Sequence, residues 1–269
     1  MDACVKPDWV VVGFSGGKDS SAMLLRMIEL GEHIDEVLCC DTYKELPAMY
    51  RHIEKVKAIV EEAGIKFTLL KSEKSFDYFM FEHKPNRKKD TYREYDGYSW
   101  PGPRNRWCTS KLKIDIVRAY LKELRKTHNV IQCNGIAADE EYRLERKNNQ
   151  MEYKRHPLVE WGWTEKDCLE YCYAKGFDWE GAYELFSRVS CWCCPLQPLG
   201  ELRKLKEHFP DLWEELKDMD KRTWRKFRAD YSVEELEVRF DLEREFEEQG
   251  KSITGQEFFN ELKDKLNRK

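Results

Sequence analysis

Two short stretches concentrate the residues that could do chemistry. The first is Ser15-Gly16-Gly17-Lys18-Asp19-Ser20, which follows the β-branched run Val10–Phe14 and precedes an apolar helical pattern. A helix start presents unpaired backbone N–H groups and a partial positive charge, so it suits an anion. Gly16 and Gly17 permit close backbone approach, the Ser15 and Ser20 hydroxyls add donors, and Lys18 adds charge. The expected guest is phosphate. A Walker A loop is excluded, because Val12 stands where its first Gly is required and Asp19 follows the Lys in place of Ser or Thr. The dinucleotide fingerprint G-x-G-x-x-G is absent as well. The second stretch is Cys191-Trp192-Cys193-Cys194-Pro195, with Cys108 lying 83 residues upstream of Cys191. Four thiolates suit zinc or an iron–sulfur cluster. The C-x-C-C spacing follows neither strand nor helix burial periodicity. The remaining cysteines read differently. Cys39, Cys40 and Cys133 fall in strand patterns and Cys168 and Cys172 on one helix face, where buried thiols are ordinary. The six histidines show no H-x-x-x-H spacing.

The elements around these stretches alternate. Val10–Phe14, Glu36–Thr42, Lys66–Leu70 and Asn129–Ala137 read as strands, with helices over Asp19–Leu30, Leu46–Ala63 and Thr109–Leu124. This order predicts an α/β fold, an open, mostly parallel, doubly wound sheet with right-handed crossovers. A further helix starts near Thr164, where Asp167 completes a capping-box pattern. From Pro198 onward the pattern is short charged amphipathic helices whose Trp and Phe spacing predicts core packing. The expected division is an α/β nucleotide-binding domain over residues 1–160, then a Cys-rich loop and C-terminal helical appendage over 161–269. Between the third strand and Cys108 lies a long irregular segment rich in aromatic and basic residues.

Charge and hydropathy narrow the function classes. The formal net charge of −4 argues against broad nonspecific nucleic-acid binding. Lys84–Arg118 nonetheless carries ten Lys and Arg against four Asp and Glu, a local excess suited to an anionic ligand. No apolar run is long enough to span a bilayer and the first residues carry no signal-peptide pattern, so a cytoplasmic protein with no membrane partner is expected. Its thiols would then be reduced, metal-bound or catalytic.

SGGKDS, set between strand and helix, resembles the S-G-G-x-D-S loop of the PP-loop ATP pyrophosphatase superfamily, the adenine nucleotide alpha hydrolase-like fold. RNRWCTSKLKIDIVRAYL, CDTYKE and GIAADEEYR resemble segments of the phosphoadenosine phosphosulfate (PAPS) reductase family, and the likeness covers about residues 8–198. It implies that Ser15, Gly16, Gly17, Asp19 and Ser20 hold phosphates, and that Asp41 and Thr42 lie near the nucleoside. It also implies that Arg106, Lys111, Lys113 and Arg143 face anionic groups, with Lys18, Asp19 and Cys108 as catalytic candidates. The thiols are similar to those of the adenylyl-sulfate-reducing branch, where a Cys pair and a C-x-x-C roughly eighty residues later bind a 4Fe–4S cluster. Here Thr109 replaces the second Cys of the first pair and Cys193 is the candidate to compensate. The implied metal ligands are Cys108, Cys191, Cys193 and Cys194, and 4Fe–4S, three-cysteine ligation with an open iron, and Zn²⁺ all stay open.

The resemblance implies an enzyme of sulfur metabolism that binds ATP or an adenylyl sulfate, with Mg²⁺ on the nucleotide phosphates. One chemistry is substrate adenylation with pyrophosphate release, leading to sulfur transfer. The other is reduction of an adenylyl sulfate to sulfite. The E-C-G-x-H motif of thioredoxin-linked reductases does not follow Cys194, which tilts the expectation toward adenylation. A sulfur donor or reductant protein is the expected partner. Two rival readings are a nucleotide-binding regulatory or assembly module with structural zinc, and a tRNA or DNA sulfur-modification enzyme that grips a strand with Lys84–Trp107.

Overall fold

The run Asp8–Phe14 forms the central strand β1, and its Val11, Val12 and Phe14 are almost wholly buried. A strand covered on both faces reads as a continuous apolar run rather than an alternation. In the computed structural model, which describes residues 6–86 and 94–267, β1 pairs in parallel with β2 (Glu36–Asp41) and β4 (Asn129–Asn134). β2 also pairs with β3 (Lys66–Lys71), and β4 with the two-residue β5 (Lys154–Arg155). The sheet is all parallel, in the order β3-β2-β1-β4-β5. The chain builds outward one way to β3, then restarts beside β1 and builds the other way. That reversal is a topological switch point, and ligands of open α/β sheets bind at the carboxyl ends of the strands there.

Helices α1 (Lys18–Glu29), α2 (Pro47–Glu62), α3 (Asp115–Leu124) and α4 (Glu165–Ala174) flank this sheet. On α2, Met49, His52, Ile53, Val56 and Val60 recur at helical spacing and are the buried residues. Under α3 the core is Val11, Leu38, Leu121 and Val130, with Trp9, Val117 and Tyr120 packed against it. α4 begins as its sequence predicts: Thr164 Oγ1 accepts from the Asp167 N–H at 3.2 Å, and Asp167 Oδ2 accepts from the Thr164 N–H at 2.8 Å.

Three local features differ from the sequence reading. β4 ends at Asn134 rather than running to Ala137, because Gly135 lies directly against the first turn of α1. The helix expected from Thr109 contains a π-type turn at Ser110–Ile114 before α3, a distortion frequent near functional sites. β5 was not legible, since two residues carry no period.

Contacts divide the chain into two units. One comprises the residues up to Phe76 with Cys108–Cys191, and so holds the whole sheet and α1–α4. The other comprises Asp77–Trp107 with the residues from Trp192 onward. Its helices are α5 (Leu199–His208), α6 (Pro210–Lys221), α7 (Val233–Glu248) and α8 (Gln256–Asn267). The aromatic segment before Cys108 supplies part of this unit's core. Trp100 is fully buried, its ring edge-on to Phe227 and its N–H donated to Asp220 Oδ1 at 2.8 Å. Trp107 is buried too and donates to the Ser99 carbonyl at 2.9 Å. Gly97, at φ +69°, is tied by backbone bonds to the turn at Tyr78–Glu82: its N–H donates to His83 O and that of Tyr98 to Phe79 O. The rings of Trp213, Phe240, Phe246 and Phe258 are buried among the later helices. Residues 87–93 of the basic stretch lie outside the described residues. No helix of the described residues is long and apolar enough to cross a membrane.

Candidate nucleotide site

The SGGKDS loop closes on itself by hydroxyl bonds. Ser15 N–H donates to Ser20 Oγ at 3.1 Å, and Ser20 Oγ–H donates to the Gly17 carbonyl at 3.0 Å. The two hydroxyl oxygens are 3.0 Å apart, so the shared proton belongs to Ser15, Ser20 having given its own away. Gly16 sits at φ +79°, and a Cβ there would fall 2.5 Å from Met49 Sδ and 3.1 Å from Ile53 Cγ1. Only glycine meets both demands. Gly17 is the residue before α1 and has no side chain with which to cap it. Among the described residues, the amides of Gly16, Gly17, Asp19 and Ser20 have no hydrogen-bond partner in the protein. Unpaired backbone donors at a helix start are of the kind that suits an anion.

Lys18 is bound by two carboxylates. Its ammonium lies 2.9 Å from Asp19 Oδ1 and 2.5 Å from Glu165 Oε2, with the side chain only 11% exposed. Burial works to lower its pKa, but the bonds to Glu165 and Asp19 outweigh it, and the lysine stays charged. Asp19 is shifted up, because burial outweighs the pull of Lys18 and the negative charges of Glu165 and Glu140 add to it. The Lys18 amide donates to Tyr183 Oη at 2.8 Å. Behind the loop, Trp179 Nε1 donates to the Gly16 carbonyl at 2.8 Å.

Beside the loop a crevice of about 270 Å³ opens over the strand ends. Its lining includes Gly13 and Phe14 from β1, Ser15 from the loop, Cys40 from β2, Asn134 from β4 and Lys113 from the π-type turn, with Leu38 and Val117 among its apolar walls. Its size is near the lower end of the roughly 300–1,000 Å³ of small-molecule sites, and a few polar groups among apolar walls is their usual chemistry. Lys113 Nζ also lies 3.6 Å from Glu45 Oε1. Burial acts to lower the Lys113 pKa, yet Glu45 and the neighbouring cysteines raise it overall, so this wall carries a positive charge.

The other candidate residues are distributed less simply. Asp41, at the end of β2, is buried and fully engaged: it accepts from the Tyr43 N–H (2.7 Å) and Tyr50 Oη (2.9 Å) and pairs with Lys71 (2.7 Å). Thr42 donates to Glu45 Oε1 at 2.8 Å and lies 3.3 Å from Cys191 Sγ, which itself sits 3.6 Å from Glu45 Oε1. Lys111 pairs with Asp115, and Arg143 with both oxygens of Glu140. Arg106 is exposed and belongs to the second unit. Cys108 and Cys191 fall in the first unit, Cys193 and Cys194 in the second. Among the described residues, no group of three or more His, Cys, Asp or Glu side chains is arranged to hold a metal ion.

Sequence reasoning overlooked Glu165, Trp179, Tyr183 and Gly135. A Cβ on Gly135 would lie 3.0 Å from Ser20 Cα and Ser20 N, so this glycine lets the end of β4 touch the start of α1. A glycine just past a strand is a visible signal for such an approach. The other three carry none, because they lie 147 to 165 residues from their partners in the loop.

Residues 9–197 match the family described as the phosphoadenosine phosphosulfate reductase domain. An uncharacterized protein of Methanocaldococcus jannaschii is 27% identical over 212 residues, covering 76% of this chain and 40% of the relative. A second from the same organism is 25% identical over 227 residues, covering 82% of this chain and 50% of that relative. The chain thus spans half or less of the length of these curated relatives. Among solved structures, the U34-tRNA thiolase NcsA from Methanococcus maripaludis with its 4Fe–4S cluster is similar at a TM-score of 0.40 and 15% identity, covering 81% of this chain and 71% of that one.

Proposed function

Because this chain belongs to the phosphoadenosine phosphosulfate reductase domain family, we propose that it binds ATP at the carboxyl edge of its sheet and adenylates a substrate for sulfur transfer, releasing pyrophosphate. The observation that carries this reading is the set of four open amides at Gly16, Gly17, Asp19 and Ser20 beside the crevice. Four unpaired donors in five consecutive residues match two adjacent phosphates better than a single one. The adenosine would lie in the crevice, against Phe14 and the backbone of Gly13, with Asn134 available to its polar edge. When a substrate oxygen attacks the α-phosphate, negative charge grows on the departing pyrophosphate. Fixed amide dipoles there stabilise it with little reorganisation. Lys18 supports this indirectly: bound between Asp19 and Glu165, it anchors the first turn of α1. Lys113 contributes a positive charge to the crevice lining.

Magnesium would accompany the nucleotide phosphates. The carboxylates at this edge, Asp19, Asp41 and Glu45, are each engaged by protein donors. A second reading, reductive release of sulfite from an adenylyl sulfate, draws on Cys191, whose thiol lies against Thr42 and Glu45, the latter paired with crevice-lining Lys113. Two parallel assays separate the readings. Pyrophosphate release from ATP with candidate acceptors supports adenylation, and sulfite release from adenylyl sulfate with a dithiol reductant supports reduction. No heat on titration with ATP or adenylyl sulfate, and no change on Asp19→Asn, would sink both.

A further inference from the structure

The segment after α4 carries an unusual backbone. Trp179, Glu180 and Gly181 all have positive φ, at +48°, +54° and +80°. Consecutive non-glycine residues in the left-handed region persist only where surrounding contacts hold them. Here those contacts end on the nucleotide loop. Trp179 is 2% exposed and gives its indole N–H to Gly16 O. Tyr183 packs edge-on to Trp179, ring centres 4.8 Å apart, and takes the Lys18 amide on its hydroxyl oxygen.

A trans peptide points its C=O and N–H in opposite directions. With Gly16 O held by Trp179, the Gly17 N–H must point away from Trp179, and that amide is one of the four without a protein partner. With Gly17 O held by Ser20 Oγ, Ser21 N and Ser21 Oγ, the Lys18 N–H must point to the other side, where Tyr183 receives it. Tyr183 Oη accepts this bond and, among the described residues, donates none. Burial holds the phenol above its ordinary pKa, so its proton is in place.

We infer that Trp179 and Tyr183 are positioning residues of the phosphate site: Trp179 orients the Gly17 amide, and Tyr183 extends the Lys18 amide through its own hydroxyl toward a phosphate or pyrophosphate group. The inference rests on the nucleotide reading above and adds two residues from a distant segment to it. Glycine at 16 makes the peptide free to flip, and the indole bond removes that freedom.

The test is calorimetric titration of the full chain and of Trp179→Phe and Tyr183→Phe with ATP, inorganic pyrophosphate and adenosine. Tyr183→Phe loses only the hydroxyl, whereas Trp179→Phe loses the indole N–H together with the pyrrole half of the ring, so adenosine binding serves as the control for lost packing. Both are expected to bind ATP and pyrophosphate about tenfold more weakly, with adenosine unchanged: Tyr183→Phe loses one hydrogen bond to a charged group, and Trp179→Phe leaves the Gly17 amide free to turn away from it. Equal weakening of ATP and adenosine, or no weakening of either, overturns the inference while the nucleotide reading stands. If the unsubstituted chain takes up none of the three probes, the nucleotide reading falls and this inference with it. Amide exchange on the unsubstituted chain needs no variant. Without ligand, the Lys18 amide is expected to exchange slowly and the Gly17 and Asp19 amides fast, with pyrophosphate slowing the latter two. A Lys18 amide as fast as its neighbours refutes the role of Tyr183.

Discussion

His52 gives the chain a specific dependence of stability on pH. Its side chain is 4% exposed, with Nε2 2.8 Å from Ser21 Oγ, the ring tilted on Trp179 at 4.4 Å and edge-on to Phe177 at 5.3 Å. Lys55, Asp178 and Glu180 line a recess beside it of only about 10 Å³, too small to hydrate a new charge well. Burial, with the positive charge of Lys55 adding to it, lowers the imidazole pKa from 6.5 to about 4. The folded protein therefore refuses a proton that the unfolded chain accepts between those values. Stability is full above pH 6.5 and is lost as pH falls toward 4. At about 1.36 kcal/mol per pH unit, the loss reaches about 2 kcal/mol at pH 5 and about 3 kcal/mol near pH 4. Urea unfolding at about pH 7.5 and about pH 5 measures it, with His52→Gln as the non-titrating control that can still bond Ser21. Asp19, whose pKa is raised, pushes the opposite way in acid, but it does so in both proteins and cancels. The native chain is expected to lose about 2 kcal/mol more than the variant over this interval. Parallel losses would refute the reasoning, because His52 would then titrate alike in both states.

Gly135→Ala is expected to cost about 1–2 kcal/mol and to weaken ATP binding, since its Cβ meets backbone atoms of α1 that cannot rotate aside; urea unfolding and calorimetry read both. Gly97→Ala is expected to be worse, about 3 kcal/mol or more. Its Cβ would lie 1.9 Å from the Met80 carbonyl oxygen and φ is positive, and tryptophan fluorescence during unfolding will show the loss. Glu165→Gln should cost about 1 kcal/mol or less, because Glu165 is 45% exposed and Lys18 keeps Asp19. The same change removes a negative charge that raises the Asp19 pKa, so the Asp19 carboxyl resonance should titrate at lower pH than in the native chain.

Wherever a short window held both a signal and its partner, the amino-acid order was sufficient. β1 declared itself by an unbroken apolar run, α4 by a capping box closing over three residues, and the SGGKDS loop by glycines that its backbone requires. The parallel sheet followed from alternating strand and helix signals, because a crossover admits one hand. What the side chains of the loop are bonded to was decided elsewhere. Lys18 reads in isolation only as a cation of the loop, and its bond to Glu165, 147 residues away, leaves no local signal. β5 exists only because β4 offers an edge, and the aromatic segment before Cys108 is core in the second unit because Asp220 and Phe227 receive Trp100. Regular backbone conformation is governed largely by neighbours in sequence, whose sterics and hydrogen bonds reach a few residues. Which charges are paired, which amides stay open and which rings are buried depends on distant segments packing together, and no local pattern encodes that.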